Sequence, residues 1–399
     1  MLVQKVSIGW FLARSYVRGW RSRRRIVVLE SDDWGAIRTS SRQAYDQLVA
    51  AGFPMDRSPY SLDALETSED LVMLFEVLEG VRDCDGRPAC VTANMVMANP
   101  DFERIREGGF REYYWRPVGA ALADDPRRRQ VARLWEEGRR RGLFVPQLHA
   151  REHVRWWEWL AAVRRGVPGA RETFDLGMCG VPLAVKADLA FYSPPYLSEE
   201  QLAEEGVDLE VVVREGAELF GSHFGYRSVS AIAPNCCWTD QVEAVWWQAG
   251  IRYIQGKFLQ VYPAGREVIR RPHYLGEHSP SGCVYLIRNC SFEPLAESAG
   301  CVERCLRQVA WAFRFGKPAV ICSHRANYVG SISPDNRSRG LGLLADLLGG
   351  ILRRWPDVRF MSTPELGDLI EGGAASTGQP GLGRSAETER QRSDGSCPE

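Results

Sequence analysis

Eight short apolar runs, most of them separated from the next by a stretch with helical spacing and helix punctuation, constrain this chain more than any other feature. The first spans residues 25–30, where Ile26-Val27-Val28-Leu29 shows no polar alternation, the pattern of a strand buried on both faces. Runs at 89–95, 143–148, 230–233, 251–254, 284–289, 318–322 and 358–361 follow it. Between them, Ser40-Ser41 cap a helix that stops at Gly52, and Thr67-Ser68 cap another carrying Leu71, Leu74, Phe75 and Leu78. Further helices are expected at 130–141, from Trp156, as one piece over 198–215, and at 239–249, 301–315, 339–354 and 364–370. This order of strand and helix predicts an α/β fold with a mainly parallel sheet. Closed into a barrel, such a sheet collects its chemistry at the carboxyl ends of its strands.

The chain divides into a basic amphipathic segment over 1–24, one large α/β domain over 25–371 and a tail over 372–399. The tail is rich in Gly, Ser, Thr, Gln, Arg and Pro and is expected to be disordered. In the first segment, the mostly apolar residues 7–13 lie between Lys5 and Arg14 and read as part of a short surface helix. Peripheral membrane contact is the one membrane role open to it, because no stretch approaches the roughly 18 apolar residues of a span. The 50 basic and 51 acidic side chains leave a net charge of −1, which gives no global sign of nucleic-acid binding. Eleven cysteines, irregularly spaced and without a C-x-x-C pair, suit buried thiols in a reducing compartment, and a cytoplasmic location is expected.

Three polar sites follow predicted strands. Asp32 and Asp33 are adjacent carboxylates, which repel unless a cation lies beside them or one holds a proton. His149 and His153 are four residues apart and can face a common ion. With Asp33 they form a His-His-carboxylate set that leaves positions open, the habit of a catalytic rather than a structural metal centre. His324 is the third, without an i+4 partner, and reads as a general acid. His223 is its rival, in a glycine-flanked loop, and His273 and His278 receive no role. Residues 149–153 also spell H-x-x-E-H, an inverted zinc-protease motif, but that motif needs a helix where Val145-Pro146 reads as strand. Of the thirteen tryptophans, Trp34, Trp156, Trp157, Trp159 and Trp238 flank these sites in sequence, where stacking on sugar rings competes with core packing.

These motifs resemble the polysaccharide deacetylase family of metal-dependent carbohydrate esterases. Ser31-Asp32-Asp33 resembles its first element, and His149-Ala150-Arg151-Glu152-His153 the second, with Ala150 where Ser or Thr is usual. Ile232-Ala233-Pro234-Asn235 resembles the third in part, and Ile321-Cys322-Ser323-His324 the last, with Cys322 where leucine usually lines the acetyl methyl. The likeness covers about residues 26–370 but leaves 53–87 and 158–188 unexplained.

The resemblance implies a distorted (β/α) barrel of polysaccharide-deacetylase type, with one divalent metal ion and removal of an acetyl group from an N- or O-acetylated sugar or glycan precursor. Asp33, His149 and His153 would hold the metal, zinc first, with cobalt, nickel or manganese also accepted by such a set. Asp32 would be the general base and His324 the acid, with Trp34, Arg227 and Asn235 as substrate contacts. The arginine expected before Pro234 is missing, and Arg227, Arg271 or Arg288 remain open as its replacement. A non-catalytic carbohydrate-binding protein on the same fold is the alternative.

Overall fold

A computed structural model describes residues 17–192, 199–264, 267–297 and 300–375. Most of the expected amphipathic segment and the tail beyond residue 375 lie outside these residues. The described strands are β1 (Ile26–Trp34), β2 (Val91–Val96), β3 (Ala98–Pro100), β4 (Trp115–Pro117), β5 (Phe144–Ala150), β6 (Ser230–Ala231), β7 (Tyr253–Lys257), β8 (Leu259–Ala264), β9 (Glu267–Pro272), β10 (Val284–Arg288), β11 (Cys290–Ser291), β12 (Ala319–His324) and β13 (Arg359–Phe360).

Eight of these form one parallel path in the order β10-β7-β6-β5-β2-β1-β12-β11, and β13 pairs with the start of β1. The path returns on itself through Asn289, the single residue between β10 and β11. β10 pairs with β7 at one end of the path, and β11 pairs with β12 at the other. Asn289 stitches the seam: its side-chain amide donates to the Pro318 carbonyl at 2.8 Å, and its side-chain oxygen accepts from the Val320 amide at 2.9 Å. The result is a distorted (β/α) barrel, as expected. Every residue of β1 is buried, which explains its unbroken apolar run.

Helices pack around the barrel, and their inner faces share its core. A second, smaller core gathers Leu48, Met55, Ile105, Trp159, Leu160 and Phe174 with the chain up to Phe191. It is built partly from segments that the family resemblance left unexplained, and its 178–192 stretch overhangs the carboxyl ends of the strands.

Three expectations change. Residues 198–215 do not form one helix; Glu199–Glu204 and Leu209–Phe224 are separate. Gly206 adopts φ 73°, and the Asp208 side chain caps the second helix by accepting from the Val211 amide at 3.0 Å. Between the runs at 251–254 and 284–289, where no further strand was expected, the antiparallel ribbon β8–β9 appears. The last helix continues to Ala375, past the expected domain boundary at 371. No described helix is long and apolar enough to cross a membrane.

Candidate active site

β1 carries its two carboxylates out of the core on an irregular end. Its register on β2 shifts between Ser31 and Trp34, and Asp33 takes φ 73°, a left-handed conformation uncommon for a non-glycine residue. Asp33 Oδ1 thereby lies 3.4 Å from His149 Nε2 and 3.9 Å from His153 Nε2. His149 ends up here because β5 pairs with β2 and emerges at the same rim as β1. Its Nδ1 lies 2.9 Å from the Ile232 carbonyl, so Nδ1–H donates there and Nε2 presents a lone pair to the cluster. Burial pushes the His153 ring down to about 3, which keeps it neutral and able to ligate. The three ligand atoms lie within 4.8 Å of one another, and the chemistry of the set fits a divalent ion.

Arg38 was not anticipated. Its guanidinium bonds Asp33 Oδ2 at 2.9 Å and lies 3.2 Å from Asp63, leaving Oδ1 to the imidazoles. Burial opposes ionisation of Asp33, but the Arg38 guanidinium beside it outweighs burial and holds the carboxyl well below the usual range. Asp63 is in turn bound by the fully buried Arg325, which also holds Glu66. A lone arginine in a turn carries no sequence signal for this role.

Asp32 has a different partner. Arg288 grips it twice, at 2.6 and 2.7 Å, and also bonds Glu30 at 2.5 Å. Asn94 donates a further bond at 2.7 Å. Burial raises the cost of charge on Asp32, yet the guanidinium wins and holds the carboxyl well below the ordinary carboxylate range. Of the three arginines left open, Arg288 is the one that reaches Asp32, and it comes from the end of β10 rather than from the loop after β6. Arg271 is on the ribbon and pairs with Asp240, 2.7 Å away. Arg227 is exposed near the amino end of β6, remote from the site, so its expected substrate contact is withdrawn.

His324 stands across from Asp32, with Nε2 4.0 Å from Asp32 Oδ2. Its Nδ1 lies 2.6 Å from Glu293, whose other oxygen accepts from Asn327 at 2.8 Å. Burial alone would lower the pKa of this ring, but Glu293 outweighs it and raises it to about 9. Glu293 was also missed; it follows β11 without a motif. Cys322 lies nearby, with its thiol 3.4 Å from Arg288 and pushed up to about 12 by burial. Glu293, Cys322 and His324 form a second close cluster, but Glu293 is taken up by His324 and Asn327, and a guanidinium faces the sulfur.

A cavity of about 440 Å³ opens over these groups. Tyr60, Asn235 and Lys257 give it a polar side, and Val181, Pro182, Leu183 and Ala184 an apolar one. Asn235 is exposed at its rim, where a substrate contact was expected. Trp34 is not: it is wholly buried, donates to Ser31 Oγ at 3.0 Å and packs edge-on against Phe144. Trp34 is the last residue of β1, one position beyond Asp33, and its indole joins the barrel core. Trp159 and Trp238 are likewise buried. His223 packs on Trp135 and Phe224, and His273 stacks on Tyr285 at 3.8 Å, both outside the cavity lining. The protease motif fails on geometry: His149 is on a strand, and Glu152 is turned to Arg151 at 2.5 and 2.6 Å.

No family model and no curated protein sequence matches this chain. Among solved structures, it is similar to a protein from Mycobacterium smegmatis described as a polysaccharide deacetylase, at 11% identity over 93% of this chain and 98% of that one, TM-score 0.42. It is also similar to 4-alpha-glucanotransferase from Thermococcus litoralis, at 11% identity over 86% of this chain but 40% of that one, TM-score 0.41. A third likeness is to the alpha-amylase AmyC from Thermotoga maritima, at 10% identity over 87% and 74%, TM-score 0.41. Identities this low transfer no residue roles.

Proposed function

We propose that this chain is a metal-dependent hydrolase that removes an acetyl group from an N- or O-acetylated sugar or glycan precursor. One observation carries the reading: Asp33, His149 and His153 converge on one point, while Asp32 is held ionised beside them and His324 faces it. A divalent ion held by these three residues, zinc being the natural choice for the donor set, supplies Lewis acidity toward a carbonyl oxygen and a water molecule.

The chain's own residues supply the rest. Asp32 accepts a proton from the attacking water, and Arg288 and Asn94 fix the orientation of its carboxylate. His324, kept protonated near neutrality by Glu293, gives a proton to the departing nitrogen or oxygen. Two carboxylates next to each other in sequence thus take separate tasks because each has its own guanidinium. Asn235, Tyr60 and Lys257 offer hydrogen bonds to a hydroxyl-rich substrate at the polar side of the cavity.

Elemental analysis of the purified chain beside His149→Ala/His153→Ala, together with acetate release from N-acetylated sugars, tests the proposal. We expect about one divalent ion per chain, lost in the double variant. A full equivalent retained in that variant would rule out this ligand set. Metal without acetate release from any acetylated glycan would favour the binding protein instead.

A further inference from the structure

The end of the barrel opposite the cavity carries a surface with a different character. Residues 18–25 include Arg18, Arg21, Arg23, Arg24 and Arg25 just before β1 begins. They are fastened to the chain leading into β12. Lys317 donates to the carbonyls of Arg18, Gly19 and Trp20 at 2.5, 3.0 and 2.8 Å, and the Ser22 amide donates to Gly316 at 2.8 Å. The helix Cys301–Arg314 ends at the same place. It exposes Arg307, Trp311 and Arg314, spaced four and then three residues apart and therefore on one face.

Charge on this surface is unbalanced. Elsewhere on the same end, Arg25 pairs with Asp357 and Arg354 with Glu303. Among the described residues, Arg23, Arg24, Arg307 and Arg314 have no carboxylate within ion-pairing distance. Amid these cations Trp311 is 54% exposed, stacked on Phe315. An exposed indole among arginines suits the boundary between headgroups and acyl chains, where an aromatic ring is half wet and half apolar. Val17, next to the first of these arginines, adds a second exposed apolar side chain. Cationic attraction plus apolar insertion are the two signals that together give stable membrane attachment.

We infer that the amino-terminal end of the barrel docks on an anionic lipid bilayer. Nucleic acid fits less well, because the apolar residues have no partner on a phosphate backbone. Docked in this way, the chain turns its cavity, at the carboxyl ends of the strands, toward the aqueous phase.

The test is co-sedimentation of the full chain with vesicles of phosphatidylcholine alone and of phosphatidylcholine mixed with phosphatidylglycerol. The mixed vesicles should bind it, and added salt should weaken binding as counter-ions screen the arginines. Arg23→Glu/Arg24→Glu/Arg307→Glu/Arg314→Glu should bind about 100-fold or more weakly. All four side chains are exposed, so the melting temperature should hold; if it falls, Arg307→Gln/Arg314→Gln repeats the test with less perturbation. Trp311→Ala should weaken binding in high salt as well as low, because burial of an indole is not screened. Equal binding to both vesicle types, or undiminished binding of a folded charge-reversed variant, would overturn the inference. Binding to duplex DNA under conditions where the mixed vesicles do not bind would overturn it too.

Discussion

Asp32 and Asp33 show how neighbouring side chains of one type acquire different chemistry from their surroundings. Arg288 approaches one carboxylate from β10, and Arg38 approaches the other from the turn after β1. Asp32→Asn should therefore keep the metal and lose turnover by about 100-fold or more, the usual range for a general base. Loss of metal from Asp32→Asn with retention in Asp33→Asn would reverse the two roles. The Asp32 carboxyl is held low by Arg288, so the wild-type rate should persist as pH falls well below neutrality. In Arg288→Lys the two-pronged grip is lost and the pKa of Asp32 rises toward its ordinary value. Its activity should then fall at a higher pH on the acid side, and an acid limb that does not move would show that Arg288 has no hold on the base. His324→Ala should leave metal content intact and depress turnover most on amides. Activated aryl acetates, whose leaving groups need little protonation, should suffer less. Equal losses on both would assign His324 to shaping the site instead.

Elements hold these residues through contacts that sequence periodicity does not encode. The helix Pro334–Arg354 brings Gly340 so close to the turn after β12 that a Cβ there would overlap the Asn327 carbonyl oxygen. Asn327 is the residue that steadies Glu293, so the approach of this helix is transmitted to His324. Gly340→Ala should destabilise the fold by about 3 kcal/mol, the upper part of the range for overpacking, and slow turnover more than it reduces metal content. A urea midpoint unchanged from wild type would mean that the turn yields at little expense. The alternation of strand and helix was legible because both-face burial writes continuous apolar runs, as in Ile26–Leu29, and helix ends write caps, as at Ser41 and Thr67. Asp32, Asp33, His149 and His324 stood out because each follows such a run. Glu293 and the choice of Arg288 were not legible, since each acts across the rim on a residue from another strand, and Arg38 was not because a lone arginine in a turn writes no motif. The ribbon β8–β9 was missed because most of β9 is exposed, and an exposed strand writes no apolar run. Trp34 was misread because one residue separates a group at the rim from a group in the core.

At the scale of the whole molecule, the barrel divides the chemistry between two sides. The proposed metal ligands come from β1, β5 and the loop after it, around β2. The groups that handle protons, apart from Asp32 itself, come from the seam: Arg288 ends β10, Glu293 follows β11 and His324 ends β12. Asn289 closes that seam with two side-chain bonds and a backbone bond from its own amide to Val320 at 3.1 Å. Replacing it with alanine leaves the Pro318 carbonyl and the Val320 amide without their partners, at a cost of roughly 2–4 kcal/mol. The variant should remain folded, because the core contacts of the other strands are untouched. Its metal content should match wild type, because β10, β11 and β12 carry none of the three proposed ligands. Turnover should fall, with the acid limb of the pH profile displaced upward as in Arg288→Lys, since the guanidinium one residue away loses its fixed position against Asp32. Loss of metal in step with loss of turnover would show instead that the barrel responds as one rigid unit, with no separation between the side that binds the ion and the side that moves the proton.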